Sequence, residues 1–316
     1  MKLENRIFNA DCHDALQKIP DNSINVIITS PPYAQQRKKS YDSIPESEYV
    51  EWFLPITKEL KRVLTDDGSF VLNIKEPATN GERSTFVLEL IIEMRKQGWF
   101  WVEEYVWNKK NSFPGKWPNR FRDAWERCLH FTKNKKFKMN QDEVMVPMGK
   151  WAETRFNSLS DEDKIRHNSA SKSGFGRKVE NWIGRDMAYP TNVLEFATVC
   201  YNKGHSAAFP EELPEWFIKL FSDKDDLVLD PFLGSGTTAV VAKRLERNYV
   251  GIEKQKKYYK LSKAYLKMED VENKKIKQEM AAAIKDARKT GNWDGLIAEC
   301  KRISSKDNQS LDTFNK

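Results

Sequence analysis

Two short segments carry residues able to do chemistry, and each follows an apolar run. Residues 29–33 read Thr-Ser-Pro-Pro-Tyr after Val26-Ile27-Ile28, and residues 230–238 read Asp-Pro-Phe-Leu-Gly-Ser-Gly-Thr-Thr after Leu227-Val228-Leu229. Pro31 and Pro32 fix φ and remove two backbone donors, leaving carbonyls to accept hydrogen bonds. Ser30 Oγ and the Pro31 carbonyl suit the two hydrogens of an aromatic amine, with the Tyr33 ring stacked on its face. Such bonds draw the amine lone pair out of conjugation and make the nitrogen nucleophilic. In the second segment, Gly234 and Gly236 let backbone approach a ligand, and the helix start that follows favours a carboxylate or phosphate. Glu253 stands about one strand–helix–strand unit later, where an acidic side chain can accept from both ribose hydroxyls. These types and spacings allow a nucleotide-like cofactor beside a planar amine.

Other nucleotide loops fit less well. The segment carries no lysine, so it is not a Gly-x-x-x-x-Gly-Lys-[Ser/Thr] phosphate loop. Ala239 stands where a dinucleotide loop carries its third glycine. Alone, Pro-Pro-Tyr reads as a proline turn; beside the glycine loop it reads as half of a site.

The surrounding pattern must supply strands that end at these segments. Strands are predicted over 6–10, 25–29, 69–74, 100–107, 124–132 and 227–230, and again up to Glu253. Helices are predicted over 12–18, 49–64, 86–97, 214–221 and 239–246 by apolar spacing and stop signals. Asp66-Asp67-Gly68 is read as a turn after the second helix. Periodicity fades between Asn140 and Tyr189, where Ser, Asn, Gly and charge surround isolated aromatics, as in an inserted module or long functional loops. The tail after Met268 is charged and helix-prone, and is expected to fray after Arg302.

With 316 residues, the chain can bury a core without metal or disulfide staples. Its net charge of +7 favours a polyanionic partner. Cys12, Cys128, Cys200 and Cys300 are scattered, which argues against a structural metal or disulfide framework. The N-terminus lacks a signal peptide's apolar stretch and no segment is long enough to span a bilayer, so a cytoplasmic protein is expected.

The motifs together resemble the amino-methylating DNA methyltransferases in their permuted β-group order, with the catalytic segment first and the cofactor loop last. Three further stretches carry the likeness: Asn9-Ala10-Asp11-Cys12, the run Gly204-His205-Ser206-Ala207-Ala208-Phe209-Pro210, and Asp226 to Asp230. The likeness covers roughly residues 5–135 and 190–267. It implies an α/β Rossmann-like fold with a mixed, mostly parallel sheet, circularly permuted and interrupted by a target-recognition module. The implied divisions are a catalytic half (1–140), the recognition insertion (141–190), a cofactor half (191–268) and a helical tail (269–316).

The resemblance further implies S-adenosyl-L-methionine as methyl donor and duplex DNA as substrate, with the target base flipped out of the stack. Its implied catalytic residues are Ser30, Pro31, Pro32 and Tyr33. Asp11, His205, Phe209, Pro210, Asp230 and Phe232 are the first group of implied cofactor residues. Gly234, Ser235, Gly236, Thr237, Thr238 and Glu253 are the second. Serine at position 30 resembles the cytosine-N4 subset; adenine-N6 methylation and a non-catalytic DNA-binding module on the same fold are the alternatives. Cytosine-C5 methylation needs a thiolate in a Pro-Cys segment, and no cysteine here follows proline. A restriction–modification setting follows, with a cognate endonuclease acting on the same site without stable binding. The enzyme is expected to work on nucleoid DNA in a prokaryote, as a monomer or homodimer.

Between Lys109 and Lys138 stand ten basic residues against two acidic ones, with Phe113, Trp117 and Phe121 interleaved. Lys109, Lys116, Arg120, Arg122, Lys133, Lys135 and Lys136 are read as phosphate contacts, and the aromatics as wedges for a flipped base. Arg155, Arg166, Asn168, Arg177 and Arg185 are read as candidate base readers.

Overall fold

A computed structural model describes residues 3–34, 44–79, 81–112, 115, 118–149, 154, 158, 160, 184–199, 209–272 and 274–314, with side chains to residue 305. In chain order the first elements are β1 (Arg6–Phe8), α1 (Cys12–Leu16), β2 (Ile24–Thr29), α2 (Glu46–Val63) and β3 (Leu64–Ile74). Next come β4 (Ala78–Thr79), β5 (Glu82–Arg83), α3 (Phe86–Lys96), β6 (Phe100–Lys109) and β7 (Trp125–Thr132). β8 (Val146–Pro147), β9 (Met187–Ala188), β10 (Val193–Phe196), α4 (Glu212–Phe221) and β11 (Leu227–Asp230) follow. The last are α5 (Thr237–Arg244), β12 (Asn248–Ile252), α6 (Lys256–Glu269), α7 (Lys274–Thr290) and α8 (Leu296–Phe314).

Eight strands form the main sheet in the order β1-β12-β11-β2-β3-β7-β6-β10. Every pairing is parallel except those of β7, which runs antiparallel to β3 and β6. β2 and β11 are buried along nearly their whole lengths, as expected of central strands covered on both faces. α2 and α3 bury stripes at helical spacing, Phe53, Ile56, Leu60 and Val63 on one and Phe86, Leu90 and Met94 on the other.

Three local expectations need correction. No turn separates α2 from β3: Ile24 pairs with Leu64 and Val26 with Ser69, so residues 65–68 form a bulge inside the ladder. A Cβ on Gly68 would lie 2.8 Å from the Asn25 carbonyl, which shows how closely that bulge is packed. β10, which sequence patterning missed, adds a strand beside β6, with Leu194 buried between the exposed Val193 and Glu195. The tail does not fray after Arg302 but continues as α8 to Phe314. Ile276, Met280 and Ile284 of α7, Cys300 and Ile303 of α8, and Leu261 of α6 make a second apolar cluster.

Residues 141–191 form a compact unit of their own, with the rest of the chain forming the other. Within it β8 and β9 pair antiparallel and Tyr189 Oη donates to Asp142 Oδ1 at 3.0 Å. No helix among the described residues is long and apolar enough to cross a membrane.

Candidate active site

Because β1, β12, β11, β2 and β3 are parallel, they deliver the segments that follow them to one end of the sheet, where open α/β sheets gather ligands. Ser30 to Tyr33 leave β2 there, and Asp230 closes β11 beside them. Thr29 Oγ1 donates to Asp230 Oδ1 at 2.7 Å, locking the two segments together across 201 residues of chain. Thr238 Oγ1 donates to Asp230 Oδ2 at 2.6 Å, and Phe232 N to Oδ1 at 3.0 Å. Burial raises the Asp230 carboxyl to about 6 against the pull of these donors. Asp230 is thus a clasp for the loop. Tyr49 of α2 donates to the Pro32 carbonyl at 3.0 Å, which fixes the proline segment from the other side.

The glycine loop turns on Glu253. Its Oε2 accepts from Gly234 N at 2.8 Å and its Oε1 from Gln255 N at 2.7 Å, leaving lone-pair capacity on both oxygens. Burial raises its carboxyl to about 7 in spite of those two donors. Asn9 Nδ2 bonds the carbonyls of Glu253 and Lys254 at 2.8 and 3.0 Å, which ties β1's end to β12's. Asp11 caps α1 by accepting from His13 N at 3.0 Å, with its other oxygen 3.5 Å from Lys254 Nζ.

Gly236 also has a packing role. Its φ of +97° is left-handed, and a Cβ would lie 2.7 Å from the Ser262 Cβ and 3.0 Å from its Cα. The glycine therefore permits α5 to start hard against α6. Gly236→Ala combines left-handed strain of about 1–3 kcal/mol with that clash. It is expected to lower the melting temperature by several degrees; an unchanged thermal melt would show that α6 yields without cost.

On the other side of Ser30, the half-buried Tyr33 donates its phenol proton to Glu126 Oε2 at 2.5 Å. Ser30 Oγ lies 3.4 Å from the same phenol oxygen, and Asn73 Oδ1 lies 3.3 Å from it. Glu126 Oε1 pairs with Lys109 Nζ. Burial and the Glu126 charge push the Tyr33 phenol well up, so it stays protonated. Trp107 stands beside Lys109 and donates its indole N–H to the Phe196 carbonyl at 2.9 Å, which joins β10's end to this wall.

One cavity of about 940 Å³ runs past all these groups, from Asp11, Gly234 and Glu253 to Ser30, Tyr33 and Glu126. That volume lies within the roughly 300–1,000 Å³ usual for small-molecule sites. Trp52 and Pro55 of α2 line it together with Phe232, and Trp52 and Phe232 have ring centroids 5.9 Å apart. An acidic acceptor at one strand end, a glycine loop at the next and flat apolar walls between them fit a nucleoside with an anionic tail. Cys12 lines the cavity too, but burial and the neighbouring Asp11 push its thiol up to about 12, so it offers no thiolate nucleophile. Among the described residues no cluster of three or more potential metal ligands occurs.

A family model described as DNA methylase matches residues 24–264. The chain belongs to that family. The type II methyltransferase M.PvuII of Proteus hauseri is 31% identical over 275 residues, covering 80% of each chain. The solved PvuII DNA methyltransferase (cytosine-N4-specific) superposes with a TM-score of 0.65 at 27% identity, over 90% of this chain and 92% of that one. A modification methylase of Thermus thermophilus complexed with S-adenosyl-L-methionine shares the fold, with a TM-score of 0.56 at 22% identity over 84% and 94% of the two chains. This DNA methylase is accordingly an enzyme with DNA as substrate and S-adenosyl-L-methionine as methyl donor.

Within the methylase cavity stand Ser30, Pro31, Pro32 and Tyr33, and also Asp11, Phe209, Asp230, Phe232, Gly234, Ser235, Thr237 and Glu253. Pro210, Gly236 and Thr238 are not on its wall: Thr238 is buried against Asp230 and Gly236 against Ser262. His205 lies outside the described residues, as do Lys116, Arg155, Arg166, Asn168, Arg177, Phe113 and Trp117. Sequence reasoning missed Glu126, Asn73, Trp52 and Trp107. An acid between aromatic and basic neighbours, Trp125-Glu126-Arg127, was the available signal for the first.

The basic residues read as phosphate contacts between Lys109 and Lys138 lie at both ends of β7 and not on one surface. β7 starts at the catalytic end, where Arg127 opposes Ile74, and ends at the opposite edge, where Thr132 opposes Ser69. At about 3.4 Å per residue its two ends lie roughly 24 Å apart. Lys133 sits at the far edge, 2.5 Å from Asn22 Oδ1 and 3.8 Å from Asp66, with Lys135 and Lys136 following it. Lys109 is inside the site, paired with Glu126. Of the described candidates in this run, Arg120 and Arg122 lie in the loop between β6 and β7. Arg120 is 3.1 Å from Asp123, and Arg122 donates to the Ser112 carbonyl at 2.8 Å. Between them Phe121 is 95% exposed. Behind this loop Lys75 Nζ sits 3.4 Å over the Trp125 ring and 3.6 Å from Asp123, a buried cation that braces the rim.

Proposed function

We propose that this methyltransferase methylates the exocyclic N4 of a cytosine flipped out of duplex DNA at a specific site, within a restriction–modification system. The observation that carries the reading is the single cavity joining Glu253 and the glycine loop to Ser30. The likeness to the cytosine-N4-specific PvuII enzyme supports it, together with serine at position 30. Bound S-adenosyl-L-methionine supplies an electrophilic methyl group. Ser30 Oγ and the Pro31 carbonyl accept from the target amine, which holds its lone pair toward that methyl. Tyr33 presents its ring to the base, and alignment in a dry pocket does most of the work. Glu253 accepts from the ribose hydroxyls, Asp11 from the adenine amino group, and the α5 N-terminus faces the carboxylate. Nucleoside mass spectrometry on DNA from cells expressing the protein tests the reading. N4-methylcytosine is expected; N6-methyladenine alone would transfer the site to the adenine alternative, and no methylated nucleoside would leave a binding module.

DNA lies across the catalytic rim in this reading, with Arg120 and Arg122 on phosphates and Phe121 entering the gap left by the flipped base. Residues 141–191 carry base reading, and Arg185 is their described candidate. A cognate endonuclease reads the same sequence on its own, and the methylase acts on chromosomal DNA as a monomer or homodimer. Neutralising Arg120 and Arg122 should reduce the slope of log K against log salt by about 0.9 for each phosphate no longer neutralised. Neutralising Lys133, Lys135 and Lys136 should leave it unchanged. Salt titration of both variants checks this, and a flattened slope in the lysine variant would return the far edge to the DNA surface. Phe121→Ala should lower the fluorescence gain of 2-aminopurine at the target position without changing cofactor affinity. A full gain in that variant removes Phe121 from the duplex.

A further inference from the structure

Methyl transfer leaves the amine with one proton too many, and the Pro31 carbonyl cannot keep it. Ser30 Oγ can pass a proton on, since it accepts from the amine and donates its own hydrogen to the Tyr33 oxygen 3.4 Å away. Tyr33 has one phenol proton, already directed at Glu126 Oε2 at 2.5 Å. Asn73 Oδ1, at 3.3 Å, belongs to an amide and is no base at neutral pH. Glu126 is buried, its Oε1 pairs with Lys109 Nζ, and its Oε2 is the carboxylate oxygen that the phenol proton faces. No other carboxylate is bonded to the Ser30–Tyr33 pair among the described residues.

We propose that Ser30, Tyr33 and Glu126 form a proton relay that carries the surplus proton from the target amine to the Glu126 carboxylate. The relay rests on Ser30 touching the target amine, as in the function proposed above. The amine lone pair forms the new nitrogen–carbon bond, and the carbon–sulfur electron pair departs with sulfur. The amine then yields one proton to Ser30 Oγ, the Ser30 proton moves to Tyr33, and the Tyr33 proton moves to Glu126. One cationic charge is present before and after: first the sulfonium and Lys109 against ionised Glu126, then Lys109 beside a neutral carboxylic acid. Glu126 releases its proton when the product leaves. Glu126 is a positioning residue in this scheme, because it acts only through Tyr33.

Glu126→Gln and Tyr33→Phe, alone and together, test the relay in the full-length enzyme by single-turnover methyl transfer in water and in deuterium oxide. The groups facing Glu126 are Lys109 from β6, Tyr33 and Ser30 from the segment after β2, Asn73 from β3, and Cys128 on its own strand. Each single variant should lose about 10²-fold in rate, within the range of a lost general base, with cofactor affinity by calorimetry within threefold. The double variant should lose no more than either single, since both break one wire. The unmodified enzyme should slow in deuterium oxide, because several protons move along the relay, and both variants should lose that slowing. Tyr33→Phe keeps the Glu126–Lys109 pair, so it decides the matter alone if Glu126→Gln misfolds. Wild-type rates in either folded variant, additive losses in the double variant, or a retained slowing in deuterium oxide overturn the relay. Methylation of adenine by the unmodified enzyme would overturn the cytosine assignment and leave the relay standing.

Discussion

Ser30→Ala is expected to slow single-turnover methyl transfer by roughly 10²-fold or more, the scale of one lost transition-state hydrogen bond in a dry site. Cofactor affinity should stay within a few-fold. Ser30 lies beside Tyr33 on one wall of the cavity, whereas Glu253, the proposed ribose acceptor, follows β12 and already accepts from Gly234 N. The β2 ladder and the Tyr49–Pro32 bond are untouched, so the segment should hold its course. Rapid-quench transfer from labelled cofactor, paired with calorimetric titration, separates the two quantities. Equal losses in both would mean that Ser30 holds the cofactor and that the substrate pocket has been assigned to the wrong wall.

The second large effect belongs to Glu253. Bonds from ribose hydroxyls to a charged acceptor contribute about 1.5–3 kcal/mol net, so Glu253→Ala should weaken cofactor binding by one to two orders of magnitude while leaving DNA affinity nearly unchanged. Burial raises this carboxyl from 4.5 to about 7, which gives the site a pH signature. Hydroxyl donors favour the ionised form, so the cofactor must displace a proton wherever Glu253 is still protonated. Affinity should therefore fall as pH drops from about 8 through 7 to 6, with proton release on binding in that window. Glu253→Gln, which keeps one acceptor and cannot titrate, should bind weakly at both ends with a flat profile. Calorimetry at the two pH values checks the sign, and a profile that rises toward low pH would remove Glu253 from the cofactor site.

That Ser30 to Tyr33, Gly234 and Glu253 would line one cavity was legible because each lies in a contiguous segment whose chemistry needs no distant partner to be stated. Glu126 was not, because its neighbour Tyr33 is 93 residues away and meets it only when β7 runs against the rest of the sheet. The same reversal divides the basic run: Lys133 and Arg122 are close in sequence, yet β7 takes its full length to carry the chain from one edge to the other. The packing role of Gly236 was not legible because its partner, Ser262 of α6, shares no local pattern with it. Trp52 and Pro55 sit on a helix whose apolar stripe reads as core, and spacing alone does not tell which stripe residues reach the cavity. The tail's second cluster was obscured by charge, since α7 and α8 bury narrow stripes among many lysines.

The Thr29–Asp230 clasp sits at the centre of the sheet and spans 201 residues of chain. At the usual 5–20 residues per second of synthesis, roughly 10–40 s separate the emergence of its two halves from the ribosome. During that interval β2 has β3 on one side and nothing on the other, an apolar strand with an open hydrogen-bonding edge. Nascent chains that stop before Leu227 should therefore need chaperone cover or clump through that edge. Full-length chains diluted from denaturant should refold slowly, because the pairing that completes the sheet's centre is among the most distant in the molecule. Activity then arrives all at once, when β11 slots beside β2 and brings the glycine loop to the proline segment.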